Sequence, residues 1–425
     1  MQQLKGTKPY TPEEKILRNR IVENIKKIFE KYGFSPLETP ILNQLETLTA
    51  KYAGGDEITK EIYSLKDQGK RDLGLRYDLT VPLAQFIQTN PNIKLPFKRY
   101  EIGKVFRDGP IKAGRMREFW QCDADIIGTK SMLADAELLA LTQEVFRALK
   151  LDITIRVNNR KLLNGLISAA GITKDRESAI LSIDKLAKFG EGAVKMELKD
   201  KGFTPKQIIT LMKNIEVTGT NKELLAKLKK IIKDDEGMQG IKEVEGLLEY
   251  LKDFNATVQL DACLARGLAY YTGTIFEIFL KKGEVTSSLA AGGRWDEMIG
   301  KLVQREFPAV GISFGLEPIS AALQQQAKKS LTIVYVIPIG TQKESIKILQ
   351  QLRNAGMNAD IDLLGRGPGK CLQYADTLGI PYCILIGNDE VKKKKVKLKD
   401  MKSGKERLIS VKDIGKEIKV AFDKL

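Results

Sequence analysis

The segment Arg99–Gly128, RYEIGKVFRDGPIKAGRMREFWQCDADIIG, constrains the fold more than any other stretch of this chain. Its first part, Arg99–Phe106, alternates as a strand does, and Glu118–Ile127 alternates again after a basic Gly/Pro loop. A strand points successive side chains to opposite faces. Phe119, Gln121, Asp123 and Asp125 therefore share one face, and Trp120, Cys122, Ala124 and Ile126 share the other, which reads as buried. An aromatic ring, an amide and two carboxylates on one strand face, with Arg107 brought near by the hairpin, would line a polar pocket. A surface hairpin of mixed charge fits the same letters, so the rest of the chain has to decide.

The 425 residues contain no histidine. That excludes a Ser-His-Asp hydrolase, imidazole acid–base chemistry and any histidine metal site. It also removes the meaning of Gly311-Ile-Ser313-Phe-Gly315, which matches a nucleophile-elbow pattern but has no base to serve it. Catalysis has to rest on arginines, carboxylates, backbone groups, a metal or the substrate itself. The cysteines Cys122, Cys263, Cys371 and Cys383 are far apart in sequence, which suits a reducing compartment rather than a disulfide framework or zinc ribbon. MQQLKGTKPY has no apolar core or cleavage site, and the longest apolar run, Leu331–Ile339, is too short to span a membrane. A cytoplasmic protein without membrane contact is expected. The net charge of +16 favours an acidic polymer or a phosphate-rich partner, although a lysine-rich proteome would raise it too. The run Lys392–Lys395 reads as a solvated strand edge.

Taken in order, Thr11-Pro12-Glu13-Glu14 starts a helix whose apolar residues run to Tyr32, with Gly33 as its stop. Phe34–Leu42, broken by Pro36 and Pro40, suits a sheet edge or interface. Leu73–Val81 reads as a strand feeding a helix, with Arg76 and Asp78 on one strand face and Thr80 as the cap. A helix follows over Asp135–Leu149. Leu162–Leu251 is lysine- and glutamate-rich, helical and without chemical motifs, the texture of an inserted module. Thr274–Leu280 and Ala309–Gly315 are strands, the second feeding a helix over Leu316–Gln326. After a break at Gln324–Ser330, a strand, a helix, a second strand Tyr382–Ile386 and a basic hairpin make a small α/β domain.

Arg107, Arg115, Arg117, Arg266 and Arg294 all stand in or beside Gly-containing turns at strand ends. Guanidinium groups converging there would form an anion site for more than one phosphate. Neither a Walker A loop nor a Rossmann fingerprint is present, since Gly365-Arg-Gly-Pro-Gly-Lys370 has the wrong spacing, so a nucleotide would have to lie on an antiparallel sheet.

With these residues in view, the chain resembles the class II aminoacyl-tRNA synthetases over nearly its whole length, and within them the histidyl-tRNA synthetase family. Tyr32-Gly33-Phe34 through Pro40-Ile41 resembles the first class II motif, which implies a homodimer interface. Arg99–Gly128 resembles the second motif, and Ala291-Gly-Gly-Arg-Trp295 with Val310–Glu317 the third-motif region. ARGLAYYTGTIFE, within Leu264–Glu277, resembles the histidine-specific signature, and Leu331–Leu425, including LKDMKSGK, the anticodon-binding domain.

The resemblance implies an α+β catalytic domain on an antiparallel sheet with a helical insertion, followed by a C-terminal α/β anticodon-binding domain. The boundaries are expected at 1–161, 162–252, 253–326 and 331–425. It implies ATP, Mg²⁺, L-histidine and tRNA(His) as cofactors and partners, and a histidyl-adenylate intermediate. Asp78, Thr80 and Gln121 would hold the α-amino group. Asp125 and Tyr271, with Tyr270 beside them, would read the imidazole. Arg107 and Arg266 would act at the carboxylate and α-phosphate as they react. ATP would further meet Arg115, Phe119 and Glu317; metal ligands are left unassigned.

Three positions depart from the pattern: Glu317-Pro318 where an arginine is usual, Ala269 where aspartate is common, and Trp295 where tyrosine is usual. A non-catalytic paralogue that regulates a phosphoribosyltransferase of histidine biosynthesis is the alternative, but it typically lacks the anticodon domain and a faithful RGLxYYTG. A synthetase for another amino acid fits Asp125 with Tyr271 poorly.

Overall fold

The structure is a computed structural model, and it describes residues 2–49, 59–111, 116–267, 270–303, 306–415 and 417–418. The chain divides into two compact units, one of residues 1–8 and 20–322 and the other of 9–19 and 323–425.

The first unit is built on an eight-stranded sheet. In chain order its strands are β1 (Ser35–Pro36), β5 (Phe97–Phe106), β6 (Glu118–Ile127), β7 (Ile153–Asn159), β8 (Gln259–Leu260), β9 (Thr274–Leu280), β10 (Ala290–Arg294) and β11 (Ala309–Gly315). The remaining strands of this unit, β2 (Leu42–Gln44), β3 (Ser64–Lys66) and β4 (Asp72–Leu75), form a small separate sheet in the order β2-β4-β3. The large sheet runs β1-β5-β6-β11-β10-β9-β7-β8, antiparallel throughout except for the two short parallel strands at its ends.

Its two faces are made of different chemistry. On one face Phe29, at the end of the helix Pro12–Lys31, packs on Tyr100 and Phe314 with ring centroids 5.6 and 5.7 Å away. Phe146 of the helix Met132–Ala148 reaches Phe314 as well, at 5.7 Å. Cys122 and Ala124 are fully buried on the same side. The opposite face carries cross-strand rows of polar residues. Arg99, Asp125 and Gly311 lie in one row, Glu101, Asp123 and Ser313 in the next, and Gly103, Gln121 and Gly315 in a third.

The helix Pro12–Lys31 starts where the sequence puts it. Thr11 Oγ1 accepts from the Glu14 N–H at 3.3 Å and Glu14 accepts from the Thr11 N–H at 2.9 Å, a reciprocal cap. Between β7 and β8 the chain forms helices Arg160–Ala169, Arg176–Ile183, Leu186–Asp200, Pro205–Ile215, Asn221–Ile231 and Asp235–Asp253. Their buried faces, among them Leu162, Leu166, Leu211, Leu228 and Leu247, form an apolar interior. Thr204 and Thr220 cap two of these helices with full capping boxes.

The second unit carries a mixed sheet in the order β13-β12-β14-β15-β16: β12 Val334–Pro338, β13 Ala359–Ile361, β14 Tyr382–Ile386, β15 Lys395–Asp400 and β16 Glu406–Ser410. β12 is parallel to β13 and β14, and the last pairings are antiparallel. Val334, Val336, Ile384, Ile386, Val396 and Leu398 form its core.

Several expectations change. The strand before Asp78 ends at Leu75, so Arg76 and Asp78 do not share a strand face; Arg76 is drawn to Glu101 and Asp78 to a helix start. That helix begins at Thr80 and not after it. Its cap is Asp78, whose Oδ1 accepts from the Val81 N–H at 3.0 Å, because a carboxylate two residues before the first turn reaches the free N–H groups. Trp120 is only half-buried, near the open end of β6. The helix after β11 stops at Ala322, with a separate turn over Gln324–Gln326. Lys392–Lys395 is not a strand edge: Lys392 closes the helix Asn388–Lys392 and Lys395 opens β15, which is paired on both sides.

Candidate active site

The polar face forms a cavity of about 130 Å³ lined by Asp78, Thr80, Arg107, Gln121, Asp123, Asp125, Arg266, Tyr270, Tyr271, Trp295 and Ser313, together with Ala291, Gly292, Gly311 and Ile312. All the residues expected at histidine are therefore in one place, contributed by the helix start at Asp78, the β5–β6 hairpin and the loop before β9. Of the residues expected only at ATP, Phe119 lies beside it: the Arg107 guanidinium carbon stands 5.1 Å from its ring centroid. Arg107 Nε also donates to the Tyr77 carbonyl at 3.1 Å, which fixes the side chain from behind. Glu317 does not line the cavity; its carboxylate accepts from the Trp120 N–H at 3.2–3.3 Å, holding the third-motif region to β6. Pro318 follows in the first turn of the helix Leu316–Ala322, where its missing N–H is not needed. Arg115 and Ala269 lie outside the described residues.

Two expected anion-site arginines are used elsewhere. Arg294 is buried and saturated by Asp135, Asp296, the Thr129 carbonyl at 2.8 Å and the Ser131 carbonyl at 3.1 Å, so it is a structural clamp. Arg117 pairs with Asp108 at 3.1 Å. Ser313 is confirmed as no nucleophile elbow, because it sits within β11 and not on a strand-to-helix turn, with its Oγ accepting from Gln121 Nε2 at 2.8 Å.

Sequence reasoning missed what lies under the cavity. Arg99 is fully buried, with Nη2 2.8 Å from Asp125 Oδ2 and donating to the Leu79 carbonyl at 3.0 Å. Its Nη1 is 3.5 Å from Glu101, and Glu101 in turn meets Arg76 at 2.6 Å. Arg76 donates to the carbonyls of Thr39 and Lys104 at 2.7 and 2.9 Å. The sequence is thus built into an alternating buried chain Arg76–Glu101–Arg99–Asp125. The signal was available: RYE puts Arg99 and Glu101 on one face, opposite DAD once the strands pair.

Burial sets the protonation behaviour here. It pushes the Asp125 carboxyl up to about 6, against the pull of Arg99. Asp78 also rises to about 6 for the same reason, restrained by the Val81 N–H and Arg107. Asp123 is driven well above the ordinary range by burial, with Arg99 opposing and Asp125 adding to the rise. Burial likewise lifts the Tyr270 hydroxyl well above its usual range.

Close packing places the acid and the ring. Asp125 lies against Gly311, where a Cβ would fall less than 2 Å from its Oδ1. Tyr271 lies on Gly293, where a Cβ would come within 2.9 Å of the ring. Both positions therefore exclude any side chain larger than hydrogen. Tyr270 and Tyr271 pack together with centroids 4.7 Å apart. Arg266 lies over the Tyr271 ring at 5.4 Å and is held from β9 by Glu277 at 2.8 Å. Among the described residues no group of three or more acidic or cysteine side chains forms a metal site.

An amphoteric cavity of this kind, with acceptors on β6 and arginines at its rim, suits a small amino acid next to an anion. Positioning and neutralising charge are what transfer at phosphorus needs most. The relatives agree with the geometry. The family model described as histidyl-tRNA synthetase matches residues 6–319, and one for an anticodon binding domain matches 333–420. A histidine–tRNA ligase 1 of Bacillus cereus is 47% identical over 96% of this chain and 94% of its own length. A histidine–tRNA ligase 2 of Shouchella clausii is 44% identical over 96% of this chain and 97% of its own. The crystal structure of histidyl-tRNA synthetase from Nostoc sp. PCC 7120 superposes with a TM-score of 0.88 at 33% identity, over 99% of both chains. The chain belongs to the histidyl-tRNA synthetase family.

Proposed function

We propose that this chain ligates L-histidine to tRNA(His) through a histidyl-adenylate formed in the β6 cavity. The observation that carries the reading is the meeting of Asp78, Gln121, Asp125, Arg107, Arg266 and Tyr271 around one cavity at the centre of the sheet. Asp78 and Gln121 receive the α-ammonium group, with Thr80 at the helix start beside them. Asp125, backed by Arg99, accepts from the imidazole, with Tyr271 and Tyr270 closing over the ring. Arg107 and Arg266 hold the histidine carboxylate against the α-phosphorus of ATP and neutralise charge as pyrophosphate leaves.

Phe119 offers a face for adenine, and Arg115 and Glu317 complete the nucleotide site. ATP brings Mg²⁺, which binds through few protein carboxylates and mainly through the phosphates themselves. No protein base is needed for the second step if a substrate phosphate oxygen takes the proton from the tRNA ribose hydroxyl.

The second unit, with its lysine-rich β15–β16 hairpin, binds the anticodon arm. A homodimer forms through the segment from β1 to the start of β2, where Ile41 and Leu42 are 42% and 47% exposed. Among the described residues no helix is long and apolar enough to cross a membrane, and the protein works in the cytoplasm. Labelled histidine, ATP, Mg²⁺ and a tRNA(His) transcript test the activity: label is expected on the tRNA and not on a periodate-oxidised transcript. Label on neither overturns the reading.

A further inference from the structure

Beyond Leu260 the chain that carries Arg266 is no longer a strand. β8 pairs with β7 at Gln259 and Leu260, and the Asp261 N–H adds one more rung by donating to the Val157 carbonyl at 2.9 Å. β7 itself then turns into the helix Arg160–Ala169. From there the ladder is continued by side chains. Asn158 Nδ2 donates to the carbonyls of Ala262 at 3.2 Å and Leu264 at 2.8 Å, and Arg160 Nη1 donates to the Arg266 carbonyl at 3.4 Å. Ala262, Leu264 and Ala265 are buried, so carbonyls along this loop would be costly to leave unpaired.

The residues alternating with Asn158 and Arg160 serve the inserted helices instead. Asn159 Nδ2 donates to Glu243 at 2.7 Å, and Lys161 Nζ pairs with the same carboxylate, on the helix Asp235–Asp253. Arg160 is thus anchored on both sides along the chain, and its Nη2 lies 3.9 Å from Glu177. Neither Asn158 nor Arg160 lines the histidine cavity, whereas Arg266 does. The Arg266 guanidinium is held by Glu277 on β9 at 2.8 Å, so its side chain and its backbone are fixed by different elements. A guanidinium at the end of a long side chain magnifies a small backbone shift. Misplacing a reacting group by about 1 Å can cost about a hundredfold in rate.

Resting on the reading that Arg266 holds the histidine carboxylate, we propose that Arg160 is a positioning residue for it. By fixing the Arg266 carbonyl, Arg160 sets where the Arg266 guanidinium meets that carboxylate.

Calorimetric titration of the full chain with histidine and with histamine, which lacks the carboxylate, tests this. Arg160→Met keeps an unbranched stem and removes the donors. Its histidine Kd should rise about tenfold, the scale of one hydrogen bond to a charged group, while the histamine Kd stays put. Arg160→Lys, which keeps a cationic donor, should retain most of the histidine affinity. Equal weakening of both probes in Arg160→Met is what a merely structural role gives, and it overturns the proposal. So does an unchanged histidine Kd, or an Arg160→Lys variant that loses as much as Arg160→Met. Arg266→Ala separates the two levels, since it should weaken histidine and spare histamine. If it leaves histidine affinity unchanged, the role given to Arg266 under Proposed function falls. If it weakens histidine and Arg160→Met does not, the role of Arg160 falls alone.

Discussion

The two sheets of this molecule bury different things. β12 and β14 of the second unit read VYVIP and YCILI, and Val334, Val336, Ile384 and Ile386 bury hydrocarbon against helices. Among the described residues none of its strands buries a charged residue, and Asp362, just past β13, has its carboxylate covered by Arg366, which holds it below the usual carboxylate range. β5 and β6 of the first unit bury hydrocarbon on one face only. On the other they carry Arg99, Glu101, Asp123 and Asp125, all 3% exposed or less. Hydrocarbon suffices to hold a sheet together. Four buried ionisable groups on adjacent strands therefore need another reason, and the cavity above them supplies it.

The largest test of that contrast removes one link of the buried chain. Arg99→Leu leaves Asp125 and Glu101 without their shared partner, and breaking such a pair costs about 3–5 kcal/mol. Urea unfolding should show the loss, and histidine-dependent ATP–pyrophosphate exchange should vanish. An unchanged midpoint would mean that the chain Arg76–Glu101–Arg99–Asp125 holds nothing. Next in size is Arg266→Ala, which on the proposed reading removes a cation from the reacting phosphate without opening the core. Exchange should fall by about 10²–10³-fold or more while tRNA affinity holds. Surviving exchange would unseat Arg266.

A smaller effect follows from acid. Asp125 and Asp78 each rise to about 6 in the fold, so on lowering the pH from 7 to 5 each goes mainly to the neutral form. Histidine affinity should fall about tenfold for each carboxylate the ligand needs ionised. Asp125→Asn should remove that carboxylate's share of the pH dependence. The sign for stability is opposite to that for binding. These raised carboxyls favour the fold most fully below about pH 4, and that contribution is lost as the pH rises through about 6. Titrating histidine Kd against pH in both proteins checks the binding claim. The smallest expected effect is in the other sheet. Ile384→Val should cost about 0.5–1.5 kcal/mol and leave histidine-dependent exchange at its normal rate. A drop in exchange there would blur the division of labour.

The legible parts of the sequence were the local ones. Glu118–Ile127 declared its ends and its polar face by alternation alone, and the Thr11 cap declared its helix. Residues whose meaning depends on a distant partner were not legible. Arg294 looks like an anion-site arginine until Asp135, 159 residues earlier, meets it. Arg99 carries no message until β5 and β6 pair and set it against Asp125. The resemblance implies Asp78 as a ligand of the amino acid. Its second role as the helix cap was hidden, because the turn from Leu75 to Leu79 breaks the strand pattern the letters suggest. Lys392–Lys395 misled because four lysines look alike on a sheet edge and at a turn between a helix and a paired strand.

The claim that the polar face of β5–β6 is a histidine-adenylating site is tested most directly by ATP–pyrophosphate exchange with each of the twenty amino acids in turn. The account predicts exchange with histidine and background with the other nineteen. Exchange driven by a different amino acid, or by none, would contradict it.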